Sequence, residues 1–230
     1  MSWLDSIRRS GKTPPIATTL KAAQRLFKSA RTPEDRLAAI AALVQEPNPL
    51  VASTLLECLG DPEARVRLAA AQGLEQQADP THRDHFLGLL ADQSFEVRVV
   101  TIQYLGRIRD PEAAQVLSSC LADSDSDVRL AAAVALGQIR NPVAIESLVL
   151  SLADQEQAVR HAAVAALENI NLRWVRTADA QRAIPRLEAL RGDQQQPWVA
   201  AAAQKALEKL REAKDRDTDF WNRESGIRNL

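Results

Sequence analysis

The chain has 230 residues, of which 46% are apolar and only 4% aromatic, and its formal net charge is −1. This near-neutral balance excludes a polycation that attracts nucleic acid over its whole surface, and no apolar run reaches the ~20 residues of a membrane span. With two cysteines and no secretory signal, the sequence predicts a cytoplasmic protein rich in helix.

The first predicted element is a basic helix over residues 18–29, which pairs with a second helix over residues 33–45. Residues 1–31 hold seven basic side chains against one acidic side chain. Such a segment can touch an acidic partner or a membrane surface, and an ordinary solvated terminus is the alternative. We assign residues 1–17 to an N-terminal segment outside the repeats.

Downstream, several residue types recur with a period of 31 residues. One column is arginine, one is proline at the start of a predicted helix, and one is leucine in a buried stripe. The members are Arg36, Arg67, Arg98, Arg129 and Arg160; Pro49, Pro80, Pro111 and Pro142; and Leu43, Leu74, Leu105, Leu136 and Leu167. A fixed period of this length is typical of stacked helical repeats.

Each repeat is predicted to contain two helices. In residues 109–139 the first helix begins at Pro111, because proline is tolerated at the first helical position, and Leu117 and Leu121 share one face. An acidic turn then supplies Asp and Ser side chains that cap the second helix. Its buried stripe is Val128, Ala132, Leu136 and Ile139. Regular units of this kind are predicted at 47–77, 78–108, 109–139 and 140–170.

The period breaks after the fourth unit. An insertion covers residues 171–177, and a last helix pair is predicted over residues 179–191 and 196–213. Helix pairs stacked at a fixed spacing form an α-solenoid, so the predicted fold is all-α. We place the repeat domain at residues 18–213 and a C-terminal tail, which has no partner helix, at residues 214–230.

The recurring pattern D-x-x-x-x-V-R-x-x-A-x-x-A-L-x-x-I resembles HEAT repeats, and its short unit is most similar to the repeats of the bilin lyases of cyanobacterial phycobilisomes. The likeness is good over residues 33–170 and loose over residues 179–213. It implies about six HEAT-like αα-hairpins wound into a right-handed superhelix. It also implies an Asp–Arg ladder between neighbouring repeats. The ladder residues would be Asp61, Arg67, Asp92, Arg98, Asp123, Arg129, Asp154 and Arg160.

A ladder of this kind is physically reasonable. A guanidinium has enough donors to bond the carboxylate of its own turn and that of the next repeat. A row of arginines that binds anions is the alternative interpretation. The ladder should weaken at both ends, because Ala30 stands where Arg36 would need an aspartate and Ala200 replaces the arginine of the last repeat.

No residue set points to catalysis, so we name no catalytic residue, no metal ligand and no cofactor, and we leave enzyme activity uncertain. His82 and His85 are spaced as metal ligands can be, but no third ligand accompanies them in the sequence. Cys58 and Cys120 occupy one column two repeats apart, which is too far for a disulfide. Both cysteines are predicted to be small buried residues.

The second helices are expected to line the concave face of the solenoid, and they carry few charges on the side away from the core. A solvent-facing apolar row marks a binding surface, unless neighbouring helices cover it. Trp174 lies on the insertion, where it could project as a contact. The predicted partner-binding residues are Leu68, Val99, Ile102, Gln103, Tyr104, Leu130, Val134, His161 and Trp174.

These features predict a non-catalytic protein-binding scaffold or adaptor that acts through the concave face, with a protein partner and no nucleic acid. The alternative, implied by the resemblance alone, is a bilin lyase subunit or a related chromophore-handling factor. In that family the lyase acts as a pair of HEAT-like chains, so this alternative also implies a hetero-oligomer.

Overall fold

The computed structural model describes residues 29–44, 49–193 and 195–224, together with Arg25 and Phe27. All regular structure in these residues is helical, as predicted, and no strand occurs among them. The assigned N-terminal segment 1–17 and most of the predicted helix 18–29 lie outside the described residues. The chain divides into two compact units, one ending at Thr101 and the other beginning at Ile102.

The first unit contains the earlier repeats. Its helices are α1 (Pro33–Val44), α2 (Pro49–Cys58), α3 (Ala64–Gln77), α4 (Arg83–Leu89) and the first half of α5 (Phe95–Arg107). Helix α3 packs against both α1 and α2. Ile40, Leu55 and Leu74 are fully buried in this core, so the leucine columns face inward as their periodicity predicts.

The second unit continues the same alternation of a short first helix and a longer second helix. It contains the end of α5, followed by α6 (Ala113–Cys120), α7 (Ser126–Ile139), α8 (Ile145–Leu150), α9 (Gln157–Ile170), α10 (Ala178–Arg182), α11 (Ile184–Arg191) and α12 (Pro197–Glu224). Helices α7 and α9 pack side by side in one layer, while α6 and α8 pack against them as the other layer.

Helix α2 begins at its column proline, Pro49, as predicted, but later first helices start after theirs. Pro80 and Pro142 open short 3₁₀ turns, and the α-helices begin at Arg83 and Ile145. In both turns an Asx side chain precedes the proline and accepts a backbone N–H two residues on, at 2.9 Å for Asp79 and 3.1 Å for Asn141. This capped turn uses the residues that were expected to form the first helical turn.

The second helices α3, α5 and α7 are each followed by a residue with left-handed backbone geometry. Ala78, Arg109 and Arg140 have φ of 48°, 52° and 60° and are spaced by one period. At Arg140 this conformation lets the backbone N–H reach the carbonyl of Leu136 at 3.0 Å and close the helix. The equivalent Asn171 is extended, with φ of −158°. The regular path of the chain therefore ends at Asn171.

Glycine sets the spacing of neighbouring second helices in the second unit. A Cβ atom at Gly106 would lie 2.9 Å from Cα of Ala135, and one at Gly137 would lie 2.9 Å from Cα of Ala166. Both distances are shorter than real Cβ contacts, so the backbones approach closely only because a side chain is absent. One period after Gly137 the residue is Glu168, which is exposed.

The last helix is longer than the sequence analysis predicted. It was expected to end at residue 213, but α12 runs without interruption to Glu224. The helix end predicted at residue 213 is therefore wrong, whereas the division of the chain into a repeat domain and a tail at residue 214 stays a prediction. Residues 225–230 lie outside the described part. No described helix combines the length and the hydrophobicity needed to cross a membrane.

The glycine contacts generate a stability prediction. Gly137→Ala should lower the free energy of unfolding by about 1–3 kcal/mol, because the new methyl group meets the backbone of α9. Gly88→Ala should instead raise it by about 0.5–1 kcal/mol, because nothing lies within 4 Å of that position and alanine favours helix. Urea unfolding of both variants measures the difference. Equal effects of the two substitutions would contradict close packing at Gly137.

Candidate functional site

The column arginines link successive repeats by a fixed set of hydrogen bonds. Nε and Nη2 of Arg67 each donate to a carboxylate oxygen of Asp92 at 2.7 Å, while Nη1 donates to the backbone carbonyl of Asp61 at 2.8 Å. The contact with the arginine's own turn is therefore made to a backbone carbonyl, and not to the carboxylate that the sequence analysis assigned to it. The carboxylate belongs to the next repeat.

The same arrangement recurs at other steps. Nε and Nη2 of Arg129 donate to the carboxylate of Asp154 at 2.8 and 3.1 Å, and its Nη1 donates to the carbonyl of Asp123 at 3.0 Å. Arg36, where weakening was predicted, donates from Nη2 to Asp61 at 2.9 Å. The absence of a preceding aspartate at residue 30 does not matter, because the carboxylate comes from the following repeat.

Each ladder aspartate also caps its own turn. Oδ1 of Asp92 accepts the backbone N–H of Ser94 at 2.9 Å, and Oδ1 of Asp154 accepts that of Glu156 at 2.8 Å. Burial raises the pKa of the Asp92 carboxyl, but the hydrogen bonds from Arg67 and Ser94 outweigh burial and leave the pKa below its ordinary value. The hydrogen bond with Asp154 correspondingly raises the pKa of Arg129.

Arg160 occupies the last step and differs from the others. Its Nη1 donates to the carbonyls of Asp154 and Gln155 at 2.7 and 2.9 Å, as the column predicts. The partner carboxylates at the other steps lie 25 residues after their arginines, in the turn before the next second helix. After Arg160 the insertion moves that turn further along the chain, to the link between α11 and α12, where Asp193 accepts the backbone N–H of Gln195 at 2.8 Å. Within the described residues, no carboxylate pairs with Arg160.

Three features of the regular repeats thus end near the C-terminus of α9. The left-handed residue is replaced by the extended Asn171, the glycine column reaches Glu168, and Arg160 bonds to no carboxylate of the described residues. Helix α12 does not pack closely against α9, whereas α9 packs closely against α7. The turn Ser151–Ala153, which contacts both α9 and α12, forms the floor of the gap between them.

Trp174 lies between the two helices that border this gap. The sequence analysis had it projecting from the insertion as a binding contact, and that prediction is wrong, because the residue is only 2% exposed. It lies in a 3₁₀ turn (Trp174–Arg176) that packs against α9, α10 and α12. Nζ of Lys209 stands 5.1 Å from the centroid of its ring, within the range of a cation–π interaction. The indole is thus a buried wedge between the last repeats.

The resulting cleft has a volume of about 580 Å³ and lies within the second unit. Its floor includes Leu152. Its α9 wall is formed by Gln157, Arg160, His161 and Val164, and its α12 wall by Trp198, Ala201, Ala202, Lys205, Ala206 and Lys209. A cleft of this size with apolar walls and a few polar groups is typical of a binding site.

The charged side chains that line the cleft in the described part of the chain are basic: Arg160, Lys205 and Lys209. His161 also lines it, and the described lining residues include no Asp or Glu. Trp198 at its edge is 78% exposed, which is unusual for so large an apolar side chain. The sequence analysis missed Trp198, Lys205 and Lys209. The sequence pattern that could have revealed these residues is a tryptophan followed by lysines spaced along one helix.

The remaining predicted partner-binding residues fall into three groups by exposure. Gln103, Val134 and His161 are exposed, and Leu68, Val99 and Leu130 are half-buried. Ile102 and Tyr104 are 0% exposed, so their prediction as surface contacts is wrong. Second helices lie side by side, and residues on the flanks of such a helix are covered even when they point away from the core.

The cysteines also differ from their prediction. Cys58 is buried and its thiol donates to the carbonyl of Thr54 at 3.1 Å, but Cys120 is half-exposed. Burial, followed by the charges of Asp61 and Glu57, raises the pKa of Cys58 to about 12. Its thiol therefore stays protonated and unreactive at ordinary pH.

Known proteins share this repeat architecture. The family model for HEAT repeats matches residues 19–94 and 84–168. The chain belongs to the HEAT-repeat family. No curated protein sequence matches this HEAT-repeat chain.

Solved structures similar to the chain include designed armadillo repeat proteins. An engineered protein shares 23% identity at a TM-score of 0.51, with coverage of 93% of this chain and 98% of its own. A designed armadillo repeat protein in complex with the peptide (KR)4 shares 21% identity at a TM-score of 0.54, with coverage of 84% and 99%. These likenesses, together with the all-helical repeats, establish an α-solenoid of the HEAT and armadillo type.

A further similar structure is the complex of CpcE and CpcF of phycocyanin lyase from Nostoc sp., with 23% identity, a TM-score of 0.45, and coverage of 70% of this chain and 99% of that one. A likeness of this degree supports no inference about activity. The alternative that this HEAT-repeat chain is a bilin lyase subunit stays a prediction, as does its cytoplasmic location.

The ladder of these HEAT repeats generates a second prediction. Arg129→Ala should lower the free energy of unfolding by about 2–4 kcal/mol, because the carboxylate of Asp154 is left unpaired where its side chain is only 9% exposed. Arg160→Ala removes the same side chain one step later and should cost only about 1 kcal/mol, since two bonds to backbone carbonyls are lost. Denaturant titrations compare the two. A smaller loss for Arg129→Ala than for Arg160→Ala would refute the carboxylate contribution.

Thiol reactivity gives a third prediction. The native protein should react with Ellman's reagent at Cys120 alone, and Cys58 should react only after denaturation, because its thiol is buried and its pKa is about 12. Cys120→Ser should abolish the native reaction, and Cys58→Ser should leave it intact. Prompt reaction of two thiols in the folded protein would show that Cys58 is accessible.

Proposed function

We propose that this HEAT-repeat chain is a non-catalytic protein-binding adaptor whose partner lies along the layer of second helices, at the face that was expected to be concave. The observation that carries the proposal is Trp198, which stands 78% exposed at the edge of the cleft between α9 and α12. Exposed tryptophans beside a pocket are typical anchors of protein interfaces, because burying their rings on binding yields a large hydrophobic gain.

Other residues of the same layer support this location. Val134 on α7 is 47% exposed, although it lies on the densely packed layer of second helices. Leu130 on the same helix is half-buried, and His161 on α9 is exposed. Together with Trp198 they provide apolar and weakly polar contact area within one unit, and such area suits another protein better than it suits a phosphate backbone.

The proposed domain division follows from this role. We propose that the repeat domain assigned to residues 18–213 is the binding body, with its last helix extended to Glu224. Trp198 belongs to that last helix, so the end of the array takes part in binding as well as in capping the stack.

The chain offers matched variants for a test. Val134→Glu and Trp198→Ala should each deplete the same co-purifying protein from an affinity purification, because both remove apolar contact area from the second-helix layer. Val116→Glu is the control, since Val116 is 45% exposed on α6 and therefore matches Val134 in type and exposure on the other layer.

All three variants should melt within a few degrees of the unchanged protein, since the replaced side chains are exposed. Quantitative mass spectrometry of the purified complexes gives the comparison. The proposal fails if Val116→Glu removes the partner while Val134→Glu and Trp198→Ala retain it, or if none of the three changes what is bound.

A further inference from the structure

We propose that the partner contributes an acidic segment, one carboxylate of which binds Arg160 and occupies the vacant last step of the ladder. This inference rests on the proposed function, and it names the chemistry of the partner at the cleft. The occupant is an Asp or Glu side chain of another protein, held in a peptide that also carries apolar residues.

The first argument is the geometry of the other steps. In Arg67 and Arg129, Nη1 donates hydrogen bonds to carbonyls of the preceding turn. The opposite edge of the guanidinium, formed by Nε and Nη2, donates two hydrogen bonds to a carboxylate. Nη1 of Arg160 is held by its turn in the same way, at 2.7 and 2.9 Å. The edge that binds a carboxylate elsewhere is therefore oriented in advance, which lowers the entropic cost of binding.

The second argument is the surroundings of that edge. Arg160 lines the cleft with Lys205 and Lys209, and none of the described residues that line it is acidic and could compete for the guanidinium. A cleft with only positive charges attracts an acidic segment and disfavours a basic one. Inside it, a carboxylate held by a bidentate pair is shielded from water more than it would be on an open surface.

The apolar part of the cleft defines the rest of the ligand. Val164, Ala202 and Ala206 stand beside the charged groups, and Trp198 lies at the edge. These small side chains leave room for an apolar residue next to the bound carboxylate. A free inorganic anion would use the charges and leave the apolar wall uncovered, and so would the phosphates of a nucleic acid. A peptide with acidic and apolar residues uses both.

The experiment selects random peptides displayed on phage with the full-length chain. The most enriched peptide is then synthesised with a fluorescent label, alongside a copy in which each Asp and Glu is replaced by Asn and Gln. Binding is measured by fluorescence anisotropy. We expect the selected peptides to be enriched in Asp or Glu over the starting library, and the amide copy to bind about tenfold more weakly or worse.

Variants of the chain locate the contact. Arg160→Gln should weaken binding of the acidic peptide by about tenfold or more, and Arg160→Lys should restore only part of it, because an ammonium lacks the planar fork. Arg211→Gln is the control: it removes the same charge from α12, but Arg211 pairs with Glu188 and does not line the cleft. Matching circular dichroism melts of the three variants establish that they are folded.

Several results would overturn the inference. They are selected peptides without acidic enrichment, no selected peptide at all, equal binding to Arg160→Gln, and displacement of the peptide by inorganic phosphate or a single-stranded oligonucleotide at a similar concentration. The last result would indicate a general anion site. If the natural partner depends on Val134 and Trp198 but binds Arg160→Gln unchanged, the carboxylate inference fails and the adaptor proposal stands. If the acidic peptide binds through Arg160 while no natural partner depends on Val134 or Trp198, the adaptor proposal fails instead.

Discussion

The forked pairing of a column arginine with the aspartate of the following repeat is the interaction on which the rest of the array depends. It joins two turns that are distant in sequence, because the guanidinium holds the carbonyls of its own turn while it binds the carboxylate of the next. The same carboxylate caps the turn that carries it. One residue pair per repeat thus fixes the loop, the helix start and the distance to the neighbour.

The candidate binding cleft lies where this pairing ends. At the end of α9 the chain has Glu168 in place of glycine and an extended Asn171, and Arg160 bonds to no carboxylate of the described residues. Trp174 then fills the space between the last repeats and separates α12 from α9. The cleft is therefore a consequence of interrupted stacking, and its cationic character follows from an arginine that keeps the orientation of the ladder after the ladder has ended.

Much of the fold could be predicted from the sequence, because the period of 31 residues sets both helices and their buried faces. The site could be predicted only in part. The burial of Ile102, Tyr104 and Trp174 depends on which flank a neighbouring helix covers, and periodicity within one helix does not contain that information. The missing carboxylate at Arg160 could not be predicted either, because the direction of the pairing and the shift caused by the insertion are visible only in the structure.

The left-handed residues at the ends of the second helices have an energetic consequence. Ala78, Arg109 and Arg140 hold a backbone conformation that costs about 1–2 kcal/mol per residue when a side chain is present. That local cost is offset by the hydrogen bonds that close the helices, from the N–H of Ala78 to Leu74 and from the N–H of Arg140 to Leu136. Glycine at these positions would adopt the same conformation without the cost.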